Sequence, residues 1–170
     1  MAPSLLALTL LAAGCSGDDE SPLDTAPTTS AEPTADAEDP EADALAAWEA
    51  YWDAVVEAQN TADADGVAAD RLSAVAASEV VELELSIIER YQGYGLTRTG
   101  APEFADVSVQ VEDDTATVAG CVNEDDWGAV VDGEPVAEED RGFEPHGATL
   151  ENQDGTWRVT ELQVPEGLTC

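Results

Sequence analysis

The chain has no lysine, and its 5 arginines stand against 38 acidic residues in 170, for a net charge of −33. Nucleic-acid binding needs a basic footprint that displaces counterions from phosphates, and none exists here. An anionic membrane surface repels so acidic a domain for the same electrostatic reason. Histidine occurs once and cysteine three times, with no CxxC and no histidine cluster at ligand spacing, so no metal site is expected. The apolar run over residues 5–13 is about half the roughly 20 residues that span a bilayer. No Ser/His/Asp or Cys/His spacing and no phosphate-binding glycine loop is present, so no catalytic residue and no cofactor are assigned.

What the N-terminal stretch does contain is LLALTLLAAGC over residues 5–15. This resembles the lipobox of bacterial lipoproteins, in which the cysteine thiol takes a diacylglycerol and the chain is cut just before it. The resemblance implies a signal peptide over 1–14, lipidation at Cys15, and a protein anchored by lipid on the extracytoplasmic face of the cell membrane. Leu11 lies four residues before Cys15 rather than three, and no basic residue precedes Arg71. A plain secretory signal with an incidental cysteine is the alternative. Anchoring by lipid needs no spanning helix, since acyl chains gain about 0.8 kcal/mol per buried CH₂ and two chains hold stably. With Cys15 given to lipid, Cys121 and Cys170 remain as an even pair in an oxidising compartment, and a disulfide is expected between them. Two free thiols are the other option.

From residue 16 to about 43 the chain is Ser, Thr, Pro, Ala, Asp and Glu with one large apolar residue, Leu23. It buries too little to offset ordering entropy, so residues 15–43 read as an acidic disordered linker. Residues 44–170 have the size of one domain. Helical periodicity over 44–60 puts Leu45, Trp48, Tyr51, Trp52, Val55, Val56 and Gln59 on one face. Asp65 and Gly66 mark the start of a second helix over 67–77, and Ser78 is the expected cap of a third over 79–92. Beyond residue 101 the period becomes two. Val107, Val109 and Val111 alternate, Asp113 and Asp114 turn the chain, and Ala116, Val118 and Gly120 alternate back. Further strands are expected over 127–131, 148–151 and 156–164, with Asp132-Gly133 and Asp154-Gly155 between them. Helices first and an antiparallel meander afterwards is an α+β layout, with N-terminal helices packed on one face of a curved antiparallel sheet.

That order of elements, the stretch CVNEDDW over 121–127, GTWRV over 155–159 and a final cysteine together resemble actinobacterial lipoproteins with an NTF2-like (SnoaL-like, cystatin-like) domain. The resemblance spans residues 45–170 and implies a bent sheet wrapped around a long helix to form a conical pocket. Many functions share that fold, so it implies architecture rather than activity.

Three classes of function compete. A SnoaL- or NTF2-like enzyme would work with Asp, His or Tyr in the cone; the one histidine, His146, lies in EPHG over 144–147 and reads as an exposed loop residue. A metal site would use acids such as Asp63, Asp65 and Asp70, but alignment to an EF-hand loop puts Thr61 first and Leu72 last, where carboxylates are needed. Glu124-Asp125-Asp126 and Glu138-Glu139-Asp140 read as turn acids. The leading expectation is a non-catalytic module that binds a small apolar ligand or an envelope protein partner, with Trp48, Trp52, Tyr91 and Tyr94 as aromatic wall; a purely structural envelope protein is the other non-enzymatic reading. Glu84 is the residue out of place. Ala77, Val80, Val81, Ile87, Ile88 and Tyr91 surround it on the third helix, while Glu79, Glu82, Ser86 and Glu89 take the opposite face. A carboxylate there must protonate or find a partner: Arg98, Arg141 or Arg158 as structural glue, water at a frayed edge, or a ligand in an open cone.

The lipid reading has a direct outcome. Cys15→Ala is expected to move the protein from the membrane to the soluble extracellular fraction, checked by detergent partitioning and by the mass of the mature N-terminus. An unmodified cysteine at that N-terminus would exclude it.

Overall fold

The computed structural model describes residues 39–170 apart from 63–65 and 138. The expected signal peptide, Cys15 and the linker up to residue 38 lie outside the described residues, as do Asp63 and Asp65.

Helix α1 (Pro40–Thr61) begins four residues before the expected start at 44, so residues 40–43 of the expected linker are helical. The start is chemically specified. Asp39 Oδ1 accepts from the amides of Glu41 and Ala42 at 3.2 and 3.4 Å, Pro40 occupies the first turn, and Glu41 and Asp43 complement the helix dipole. Ala44, Trp48, Tyr51, Val55 and Ala58 recur at steps of four and three and are all buried. Helices α2 (Val67–Val75) and α3 (Ser78–Gly93) follow. Ala77, not Ser78, is the cap of α3; the Ser78 hydroxyl instead reaches Glu79 Oε2 at 3.1 Å.

Seven strands form two antiparallel sheets rather than one meander. The larger, ordered β2-β3-β6-β7, comprises β2 (Glu103–Glu112), β3 (Thr115–Asn123), β6 (Phe143–Gln153) and β7 (Thr156–Gln163). The smaller, ordered β1-β4-β5, comprises β1 (Leu96–Thr99), β4 (Gly128–Val131) and β5 (Glu134–Pro135). Bulges between Ala105 and Ser108 on β2 and at Thr160 on β7, opposite Thr149 and Leu150 of β6, bend the larger sheet. At the first bulge Asp106 is left-handed with φ 51°, and a Cβ on facing Gly120 would meet Val107 Cγ2 at 3.0 Å. The helices lie on the face that buries Ala116, Val118, Ala148, Leu150 and Val159. The result is the expected α+β architecture, helices on a curved antiparallel sheet.

Two strand expectations need correction. Strand β1 has no alternating pattern in LTRT and exists because it pairs with β4 in register Leu96–Val131 to Thr99–Gly128. Strand β6 starts at Phe143 rather than 148, so the expected loop around His146 is strand. Proline and glycine are tolerated there because β7 pairs with β6 only as far as Gly147. Residues 143–146 have β3 on one side alone, so Pro145 owes no amide to a second neighbour.

Cys121 on β3 and Cys170 form a disulfide with Cα atoms 5.8 Å apart, closing 49 residues of sequence separation. The tail it holds lies against β6, where a Cβ on Gly147 would come within 2.9 Å of Pro165 Cγ. Loop-closure entropy for such a ring gives up to about 4 kcal/mol. Cys170→Ser, at the exposed end of the bridge, is therefore expected to lower the stability by roughly that amount, read from denaturant midpoints. Peptide mapping without reductant should recover Cys121 joined to Cys170.

Candidate functional site

A cavity of about 410 Å³ opens between the helices and both sheets. Helix α1 lines it with Trp48, Tyr51, Trp52, Val55 and Gln59, and α3 with Glu84, Ile87 and Tyr91. Arg98, Glu124 and Trp127 close one side, while His146, Gly147 and Leu162 to Val164 form another. The four residues expected at a pocket, Glu84, Trp48, Trp52 and Tyr91, thus line one cavity. Tyr94, one turn end further on, is 70 % exposed and takes no part.

Trp52 is the hub of the aromatic wall. Its ring meets Trp48, Phe104, Trp127, Tyr51 and His146 edge-on, with centroids 5.4 to 6.4 Å apart, the geometry that aromatic quadrupoles favour. His146 is consequently half-buried against the cavity wall rather than exposed in a loop.

Glu84 is 5 % exposed and is not held by arginine. The Tyr51 hydroxyl donates to its Oε1 at 2.6 Å, so α1 and α3 meet through a phenol and a carboxyl. The arginine expectations fail for separate reasons. Arg98 gives Nη1 to Glu124 Oε2 at 2.9 Å and Nε to the Trp127 carbonyl at 2.8 Å, with its guanidinium 3.8 Å over the Trp127 ring. Arg141 pairs with Glu124 and Glu144 at 3.7 and 3.2 Å. Arg158 sits on β7 opposite Glu151. Trp127 is itself fixed, its indole donating to Asn60 Oδ1 at 2.9 Å. Of the turn acids, Glu124 serves the arginines, and Asp125 accepts from the amides of Arg141 and Gly142 at 2.9 and 3.0 Å.

Burial pushes the Glu84 carboxyl above its ordinary value; the Tyr51 hydroxyl and the Gln59 amide pull it back, and Glu124 adds a smaller upward push. The Tyr51 phenol is driven up by burial first and by the neighbouring Glu84 charge second.

Among the described residues, three buried side-chain polar atoms have no hydrogen-bond partner: Trp52 Nε1, Gln59 Oε1 and Glu84 Oε2. All three belong to residues that line the cavity. Each of the three atoms is itself enclosed, with essentially no exposed surface, although buried polar atoms are almost always paired. Gln59 could have been found earlier. Like Glu84, it is a polar residue in an otherwise apolar helical stripe, and two such positions on neighbouring helices tend to meet. The Arg98–Trp127 clamp and the His146 wall carry no such signal, because β1 and the start of β6 are set by pairing.

No family model and no curated protein matches the chain. Among solved structures it is similar to the intermembrane-space region of the chloroplast protein ARC6 at 16% identity, with a TM-score of 0.47 over 73% of this chain and 95% of that one. A protein of unknown function from Mycobacterium tuberculosis is similar at 13% identity and a TM-score of 0.46, over 71% and 70%. A candidate dehydratase of the NTF2-like family from Streptomyces avermitilis is similar at 16% identity and a TM-score of 0.43, over 71% and 91%. Likeness at this level carries no argument about activity.

The sign of the Glu84 effect on stability follows from its environment. The folded chain holds this proton to higher pH than the unfolded chain does, so the contribution is complete below the ordinary value of 4.5 and is lost as pH rises through the folded value. Gln at this position keeps an acceptor for Tyr51 and never charges. Glu84→Gln is therefore expected to gain stability over the parent as pH rises above the ordinary carboxylate range, and to lose that gain in acid. Urea midpoints across that range check it, and a pH-independent difference would contradict it.

Proposed function

We propose that this chain is a binding module, held on the extracytoplasmic face of the membrane by lipid at Cys15, whose cavity takes a small, mostly apolar ligand. The observation that carries the reading is the 410 Å³ cavity walled by aromatic residues of α1 and α3, with Glu84 and Gln59 among its lining residues. Apolar walls with a few convergent polar groups are the usual makeup of a small-molecule site. Leu162 and Val164 at the lining are 36% and 74% exposed, which leaves an apolar rim on the approach. The acidic surface disfavours nucleic acid and anionic headgroups, so the domain works at a distance from the bilayer on its tether.

A second reading is favoured by one specific contact. The 2.6 Å bond from Tyr51 holds in place a carboxyl whose proton affinity is raised by burial, and a ligand bound beside that carboxyl would be open to general acid–base chemistry. Turnover of a bound ligand that disappears in Glu84→Gln would establish that reading over simple binding.

Trp48, Trp52 and Trp127 make the cavity its own reporter. The neutral dye N-phenyl-1-naphthylamine is expected to quench tryptophan emission and saturate at one site per chain. Ile87→Trp, placing a larger ring in the lining, should weaken that binding by about tenfold or more with the folded spectrum unchanged. Full binding in the filled variant would remove the cavity as the site.

A further inference from the structure

One wall of the cavity, formed by Leu162, Gln163 and Val164, is fastened differently from the rest. The pairing of β7 with β6 ends at Gly147–Gln163, and the bulge at Thr160 leaves only the positions from Thr149–Glu161 to that end as a ladder. Beyond Gln163 no hydrogen bond or ion pair joins residues 164–170 to another part of the chain. Val164 is 74% exposed, and of the residues after it only Pro165 and Leu168 are half-buried. Pro165 lies so close to β6 that a Cβ on Gly147 would come within 2.9 Å of its Cγ. What fixes the far end is the Cys121–Cys170 disulfide. Its two halves differ in access: Cys121 is buried on β3, whereas Cys170 is exposed at the end of the chain. The stability a bridge gives arises mainly in the unfolded chain. In the folded chain this bridge holds the end of a segment that begins in the cavity wall.

We infer that the Cys121–Cys170 bridge is a redox latch on the cavity: a dithiol reductant that opens it frees residues 164–170, loosens the wall at 162–164 and speeds ligand exchange. This rests on the cavity being a ligand site, as proposed above. A thiolate of the reductant attacks Cys170 Sγ, the accessible sulfur, and the bond to Cys121 breaks; Cys121 leaves as a thiolate and takes a proton. The reductant's second thiolate attacks the mixed disulfide and expels Cys170, which is protonated in turn. The dithiol loses two electrons and two protons and becomes a disulfide, while the two cysteines become thiols. Opening stays local because the other walls have their own ties. Strand β3 keeps β2 and β6 on either side, Tyr51 still holds Glu84, and Arg98 still holds Glu124. A segment with so few bonds opens at far lower cost than the domain unfolds.

The full chain carrying Cys15→Ala tests this, because Cys121 and Cys170 are then its only cysteines. Displacement of N-phenyl-1-naphthylamine by stopped flow gives the release rate with and without dithiothreitol, and hydrogen exchange read by mass spectrometry locates what opens. Reduction is expected to speed release by about tenfold or more. Exchange should quicken over 161–170 while α1, α3 and β3 stay protected. Cys170→Ser in the same background should show the fast rate without reductant and no response to it. An unchanged release rate in the reduced, folded chain would overturn the latch and leave the ligand site standing. Loss of protection throughout the domain on reduction would also overturn it, making the bridge a staple of the fold alone. Failure of the dye to bind the oxidised chain would remove the ligand site, and the latch with it.

Discussion

A carboxyl group buried on the apolar stripe of α3 is the constraint around which this domain is organised. Taken out of water, Glu84 must be neutral or answered, and the structure answers half of it. The Tyr51 hydroxyl reaches Oε1 from α1 and joins α1 to α3 through a buried hydrogen bond. With α1 so placed, Trp48 and Trp52 point into the space between helices and sheet instead of closing it. The polar pair thus joins two helices in the wall of the cavity, which both residues line.

Arg98 completes this arrangement by being unavailable. It stands in the same lining as Glu84. Its guanidinium is instead stacked on Trp127 and bonded to Glu124 and to the Trp127 backbone. Trp127 is in turn held by Asn60, whose amide nitrogen donates to the Gly100 carbonyl at 2.9 Å. The smaller sheet is thereby tied to the end of α1. Glu84 and Arg98, both in the lining, are thus held by separate partners, Tyr51 and the Glu124–Trp127 pair.

The C-terminal tail plays the corresponding part at the mouth. Residues 162–164 line the cavity, and the disulfide to Cys121 keeps the chain beyond them against β6. Gly147 has no side chain at the point where Pro165 crosses, so the tail can lie close to the strand. The rim of the site is thus held covalently, while its floor is held by a single hydrogen bond and by packing.

The helices, the long hairpin of β2 and β3, and the anomaly of Glu84 were all legible in the residues, because period, turn chemistry and polarity are local properties. The α+β layout followed from their order, and the aromatic wall from the spacing of Trp48, Trp52 and Tyr91. Strand β1, the extension of β6 through Pro145, and the division into two sheets were not legible, since each depends on a partner strand far away in sequence. For the same reason His146 read as a loop residue and Arg98 as a partner for Glu84. The sequence by itself determined that a carboxyl stands on the apolar face of a helix, because periodicity is a local property; that it is buried was decided by packing. Only the tertiary structure decided that a tyrosine rather than an arginine would meet it, because the choice depends on how α1 crosses α3 over a bent sheet.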